Sequence, residues 1–443
     1  MKKLKDINRK SIRMFVTVGA MAISLAVVAC SNMGMSATDI VSDTVSINAI
    51  DNVSADEELP YFVIDENAVP LHAVPDDWDK IDEQYSELTH VRDNIYMNED
   101  ERFTELTVSL NNIIDTGRIS GTLVVATDHE IIYASGTGAY DIYGDLVSMD
   151  TTYGIGSINK TFTSACIMQL VEQGKVSLDD TIDKYFPDFR YGSEITVYDL
   201  LHMCSGLKGI GLSKGPETTR EDRFDMVLSG EYYDDYFFYN CIYPSELDFA
   251  PGTEMKYCNT NYFLLANIIE EVSGVTYAEY VTNNILEPLE LGNTSLGCVA
   301  DITSQTQNMD PDFTPLYMST MEKTLKGYGA MHSTPLDILK FDRAIFNNKL
   351  FEDEATLESM IEMKYDYGCG WMSEDYKLCH YKQKEGASTT RNIYHDGSVF
   401  CFRSSNCVLN VDGERLYIIW CNSSSADLDV MIYDACQTYV EGL

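Results

Sequence analysis

Ser157-Ile158-Asn159-Lys160, approached through Gly154-Ile155-Gly156, opens an apolar stretch that runs to Gly174. That stretch reads as a helix packed on a core. A serine and a lysine three residues apart on a helix share one face, so the amine can lie beside the hydroxyl. A serine hydroxyl is a poor nucleophile until a neighbouring base takes its proton, and a lysine pressed into a core loses enough solvation to take part. The same helix start aims backbone N–H groups and the positive dipole end at any oxyanion formed on a substrate. The spacing alone is weak evidence. Roughly one or two S-x-x-K matches arise by chance in a chain this long, and an exposed lysine near an N-cap serine also satisfies it.

Two further motifs follow. Tyr257-Cys258-Asn259 comes after Phe249-Ala250-Pro251-Gly252 and leads into a helical pattern at Tyr262, Leu265, Ile268 and Ile269. His395-Asp396-Gly397 stands at the head of the alternating segment Val399 to Arg403, which reads as a strand. Each is common by itself. Tyr96-Met97-Asn98 also fits Y-x-N, in a polar segment with no helix behind it. Joint occurrence in this order is much rarer.

From about Thr104 to the C-terminus the chain resembles the serine β-lactamase and penicillin-recognising peptidase family, in particular its class C-like branch, which includes DD-peptidases and esterases. Further segments carry the likeness: Val176-Ser177-Leu178-Asp179-Asp180 with Tyr185-Phe186-Pro187, Ile195 to His202 with Ser205-Gly206-Leu207, Ser333-Thr334-Pro335-Leu336-Asp337, and Tyr367-Gly368-Cys369-Gly370-Trp371. The resemblance implies that Ser157 is the acyl-accepting nucleophile and Lys160 its proton-relay partner. Tyr257 would be the phenolic general base that later protonates the leaving group. Asn259 would hold Lys160 and the substrate's amide. His395, Gly397 and Ser398 would complete the substrate-binding and electrostatic set, Ser398 giving a second oxyanion N–H beside that of Ser157.

His395 takes the place of the lysine found in many members. A lysine there is a fixed charge suited to a substrate carboxylate, whereas a histidine titrates near neutrality and can also act as a neutral donor. No class A-style acidic base motif is present, so deacylation by a glutamate-held water is not supported.

The N-terminus sets the expected compartment. Lys2, Lys3, Lys5, Arg9, Lys10 and Arg13 precede an apolar run from Met14 to Ala29, too short and wrongly flanked for a spanning helix. Val27-Val28-Ala29-Cys30 looks like a lipoprotein signal, with residues 1–29 removed and lipid on Cys30, and an uncleaved membrane anchor is the alternative. Two acyl chains would hold the protein on the outer side of the cytoplasmic membrane. Residues 30–98 are acidic and lack periodicity, and read as a tether, although the part from Asp65 to Tyr85 contains aromatics that can pack on the domain. Residues 99–443 form the hydrolase domain.

The fold class expected is α/β in the α+β sense: an antiparallel sheet flanked by terminal helices, plus a large helical region over about 157–347. Glu101 to Gly117 reads as the first helix, and Thr122 to Ala126 with Ile131 to Ser135 as a hairpin turning at Asp128-His129. Thr334 caps a helix with Pro335 at its first position. Strands are expected at Gly368 to Met372, Val399 to Arg403, Cys407 to Val411 and Leu416 to Cys421, and a closing helix from about Asp427. The topology itself comes from the family likeness.

The 70 acidic and 31 basic residues give a net charge of −39, which repels nucleic acid and anionic headgroups. Arg220 to Asn240 mixes acids with tyrosine and phenylalanine, a composition that suits either a cleft wall or ordinary packing. None of the 12 cysteines has zinc-site spacing, and neither metal nor cofactor is expected. Cys166, Cys204, Cys298 and Cys421 read as small core residues, and Cys258, between Tyr257 and Asn259, as a point of sensitivity to thiol modifiers. The reading is a membrane-tethered extracytoplasmic serine hydrolase acting on small D-Ala-D-Ala-type peptides or β-lactams. A carboxylesterase on small acyl esters and a non-catalytic cell-envelope binding protein stay open, as does the oligomeric state.

Overall fold

The computed structural model describes residues 95–115, 121–138, 146–208, 246–297, 325–373, 392–399, 402–411, 414–422 and 428–441. Cys30, Cys298, the aromatic segment 220–240 and nearly all of the expected tether lie outside them.

Seven antiparallel strands form the main sheet. In chain order its strands are β1 Ile95–Met97, β2 Gly121–Thr127, β3 Ile131–Thr137, β7 Met372–Ser373, β8 Asn392–Val399, β9 Phe402–Val411 and β10 Glu414–Asn422; the spatial order is β1-β3-β2-β10-β9-β8-β7. Every residue of β2 is buried, because helices cover both faces of the sheet. On one face lie α1 (Thr104–Ile114) and α8 (Leu428–Glu441), the two terminal helices, which pack on each other. On the other, α6 (Pro335–Phe346) lies across β2 and β10. Thr334 caps α6 by accepting from the Asp337 amide, and Pro335 occupies its first turn, as its sequence predicts.

Between these parts run α2 (Asn159–Glu172), α3 (Val197–Leu201), α4 (Asn259–Ser273), α5 (Tyr277–Val281) and, after α6, α7 (Glu354–Ile361). Helix α2 is buried almost all round. It packs on α4, α5 and α7, and Phe162 stacks on Phe341 of α6 with ring centres 3.6 Å apart.

The expected hairpin and terminal helices are present, and four expectations need correction. Tyr96-Met97-Asn98 is no idle polar segment: Ile95–Met97 pairs with Tyr133–Ser135, so the sheet begins ahead of residue 99. The expected helical region contributes two strands, β5 (Ser295–Leu296) and β6 (Met331–Ser333), to a second, three-stranded sheet completed by β4 (Tyr153–Gly154) just ahead of it. Strands of two or three residues carry too little alternation to be legible. The strand expected over Gly368 to Met372 is reduced to Met372–Ser373, since Gly370 adopts a left-handed φ of 82°. Finally, the strand expected over Val399 to Arg403 divides between two: Val399 ends β8, Phe402 and Arg403 begin β9 and pair with Val399 and Ser398, and His395-Asp396-Gly397 lies inside β8 rather than ahead of a strand.

Behind the sheet Asp128 accepts bonds from Arg415 Nε at 2.9 Å and from the Tyr417 hydroxyl at 2.7 Å. Arg415 also donates to the Phe346 carbonyl and to Asn347. This ion pair is less than a tenth exposed, so its polar atoms need this full set of partners. The turn that sequence reading gave to Asp128 is correct, but its charge is turned inward.

Candidate active site

Ser157 sits in a single 3-10 turn, Gly156–Ile158, that feeds directly into α2. Gly156 has φ of 50°, and a Cβ on it would lie 2.6 Å from the backbone nitrogen of Ser398. Only glycine lets β8 come this close. At the next contact Ser404 Oγ donates to the Ile155 carbonyl at 2.9 Å. The serine is half-buried amid buried neighbours, and so is open to a substrate. Asn159 fixes the helix start, donating to the Tyr277 hydroxyl at 2.9 Å and accepting from the Ala330 amide at 3.1 Å.

Lys160 Nζ lies 2.8 Å from Ser157 Oγ and 3.3 Å from the Tyr328 carbonyl. It is fully buried. Burial pushes the ammonium well below the usual lysine range, and the nearby Cys258 opposes that in part. Three tyrosine rings face the amine: Tyr257 at 4.8 Å from Nζ to the ring centre, Tyr328 at 5.7 Å and Tyr262 at 5.9 Å. These rings wall the amine in without supplying a carboxylate to hold a charge on it.

Tyr257 stands just ahead of α4, at 5.9 Å from the Tyr367 ring and 6.1 Å from His395. His395 is fully buried, donates through Nδ1 to the Asp396 carbonyl at 2.7 Å, and has Nε2 3.2 Å from the Tyr367 hydroxyl. Burial, then Lys160, push its imidazole down to about 3. Gly397 abuts the Ile155 backbone, and Ser398 accepts from Arg403 Nη1 at 2.8 Å.

The structure thus brings Ser157, Lys160, Tyr257, His395, Gly397 and Ser398 together. Asn259 lies beside them at the start of α4, but Lys160 directs its hydrogen bonds to Ser157 and Tyr328 and none to Asn259, whose Oδ1 is buried without a partner. Cys258 is buried and its thiol is raised by desolvation. Sequence reading gave no role to Tyr262, Tyr328 or Tyr367. Tyr262 shows only as a core position of α4, and Tyr367 precedes Gly370, at which a Cβ would meet the Lys160 backbone carbonyl at 2.8 Å. Among the described residues no cluster of histidine, cysteine or carboxylate side chains is placed to hold a metal, and no helix is long and apolar enough to cross a membrane.

Comparisons with known proteins point the same way. The staphylococcal Protein flp of strain NCTC 8325 / PS 47 is 30% identical over 189 residues, 41% of this chain and 36% of that protein. The putative penicillin-binding protein PbpX of Bacillus subtilis (strain 168) is 26% identical over 259 residues, 56% of this chain and 60% of that protein. The chain therefore spans between about a third and three fifths of the curated relatives it matches. Among solved structures, D-amino acid amidase from Ochrobactrum anthropi SV3 shares the fold at a TM-score of 0.58 and 20% identity, covering 76% of this chain and 99% of the amidase. With the Beta-lactamase family matching residues 96–412, nearly the whole described domain, the chain belongs to that family.

Proposed function

We propose that this protein is a serine hydrolase that cleaves D-amino-acid peptides, their amides or β-lactams through an acyl-enzyme on Ser157, and that lipid on Cys30 tethers it outside the cytoplasmic membrane. The observation that carries the catalytic part is the 2.8 Å approach of a fully buried Lys160 amine to a half-buried Ser157 hydroxyl. Burial favours the neutral amine, which can accept the hydroxyl proton as Oγ attacks the substrate carbonyl. The attack forms the bond from Oγ to carbon and moves the carbonyl electrons onto oxygen. Backbone N–H groups of Ser157 and Ser398, brought together by Gly156, are the donors suited to that oxyanion. Tyr257, whose ring faces the same amine, would pass the proton to the leaving nitrogen, and water would then release the acyl group. The D-amino acid amidase and the penicillin-binding relative support an amide or β-lactam acyl donor. The tether rests on the basic, apolar and cysteine sequence of residues 2–30.

Ester cleavage is a second reading, favoured by the burial that, with Lys160, holds the His395 imidazole well below its usual range. Intact-mass spectrometry of the protein with saturating benzylpenicillin and, separately, with an N-acyl-D-alanyl thioester tests the proposal, with Ser157→Ala as control. A Ser157-dependent acyl adduct with either is expected. If neither compound gives an adduct and neither is consumed, the acyl-enzyme reading fails.

A further inference from the structure

The hydrogen bond between Tyr367 and His395 has a chemical consequence for the substrate, and it rests on the acyl-enzyme reading above. The Asp396 carbonyl can only accept, so His395 Nδ1, at 2.7 Å from it, carries a proton. The other nitrogen then has its lone pair free, and the Tyr367 hydroxyl at 3.2 Å is the donor that fills it. The imidazole has no exposed surface, and the nearest charged or titratable side chains around it are Lys160 on α2, Tyr257 before α4 and Tyr367 itself. Among the described residues, no carboxylate side chain hydrogen-bonds to it to support a second proton. Tyr367 is held in turn between Tyr257 and Tyr262, whose rings lie 5.9 and 6.5 Å away, and the Tyr262 hydroxyl is fixed on the Leu201 carbonyl at 3.0 Å. Tyr262, Tyr367 and His395 are buried and Tyr257 is half-buried.

We propose that Tyr367 is a positioning residue that locks His395 as the neutral Nδ1–H tautomer with Nε2 occupied, so that the site favours acyl donors whose leaving end is uncharged, amides and esters, over those ending in a free carboxylate. An incoming carboxylate would meet neither a cation nor an available N–H at this position, and would lose its hydration uncompensated. Arg403, exposed and held on Ser398 Oγ at 2.8 Å, supplies the competing explanation for any carboxylate recognition.

Two measurements test this. The first is kcat and KM for N-acyl-D-alanyl-D-alanine and for the same peptide as its C-terminal amide, in the wild type, Tyr367→Phe and Arg403→Gln. The second is the ¹⁵N spectrum of histidine-labelled protein at pH 7, with the His395 signals identified by their loss in His395→Gln. The expected result is a preference for the amide of about tenfold or more, expressed mainly in KM, which shrinks severalfold in Tyr367→Phe, where Nε2 loses its donor and can take up a proton to present an N–H to the carboxylate. In the spectrum His395 should be protonated at Nδ1 and not at Nε2, with the Nε2 resonance moving in Tyr367→Phe. A wild-type preference for the free acid that vanishes in Arg403→Gln would overturn the proposal, as would an Nε2–H tautomer or a doubly protonated ring. An unchanged ratio and spectrum in Tyr367→Phe would reduce that residue to packing. Absence of turnover on both peptides together with absence of an acyl adduct would defeat the hydrolase reading and the selectivity with it, while the spectrum still decides the tautomer.

Discussion

Gly397 lies against the Ile155 backbone carbonyl so closely that the smallest side chain would overlap it. This contact joins the strand carrying His395 and Ser398 to the turn carrying Ser157. A Gly397→Ala variant has to push β8 off that turn, and a displacement of about 1 Å between reacting groups costs on the order of a hundredfold in rate. We expect at least that loss of turnover. Gly174→Ala is the comparison: it also has positive φ, at 68°, but a Cβ there meets nothing within 4 Å. It should cost about 1 kcal/mol of stability and leave turnover intact. Equal activities for the two variants would show that the contact does not govern the site.

Lys160→Met separates activity from stability. Turnover should be abolished. Because the native lysine titrates below its unfolded value, the unfolded chain binds a proton that the native protein lacks throughout the interval up to about pH 10.5. That opposes folding at neutral pH and fades as pH rises towards the upper limit. Any stability advantage of the methionine variant in urea denaturation should therefore shrink between pH 7 and 10, and a difference that is flat or widens contradicts a buried neutral amine.

Acid should destabilise the protein through its buried histidines. Burial lowers His202 and His332 to about 4 and His395 to about 3. Below the unfolded value of about 6.5 the unfolded chain takes up protons that the native rings refuse, so stability falls as pH drops from 6.5 towards those native values. Asp337 and Asp342 act in the opposite sense, since burial raises both and the native chain then holds their protons more tightly. Comparison with His332→Gln isolates one histidine: the slope of unfolding free energy between pH 6 and 5 should fall by about 1.4 kcal/mol per unit. Identical slopes would mean that His332 is protonated when folded.

Arg415→Met should cost about 3–5 kcal/mol, because it leaves Asp128 charged and buried with its strongest donor gone. Combining it with Asp128→Asn should restore part of that loss, measured by chemical denaturation. Strict additivity of the two changes would show that the pair is not coupled.

Cys258 should resist alkylation in the folded protein despite its place between two site residues, since burial both shields its thiol and disfavours the thiolate. Peptide mapping after iodoacetamide treatment, with and without denaturant, reads this directly. Rapid modification of Cys258 under native conditions would contradict the buried thiol.

What the sequence determined by itself is local. The apolar run after Ser157 makes α2 and sets a serine and a lysine on one face, the Thr334-Pro335 pair starts α6, and the runs at 122–126 and 131–135 make a hairpin. These follow from propensity, capping and spacing, which act over a few residues. Only the tertiary structure decided what surrounds the amine and the imidazole. The cage of Tyr257, Tyr262 and Tyr328 draws on segments up to 168 residues from Lys160, and the partner of His395 Nε2 is Tyr367, 28 residues away. The charge state of a titratable group is set by dehydration and by neighbours in space, and neither is encoded in the spacing of one motif. The same reason hid the inward turn of Asp128, whose partner Arg415 is 287 residues away.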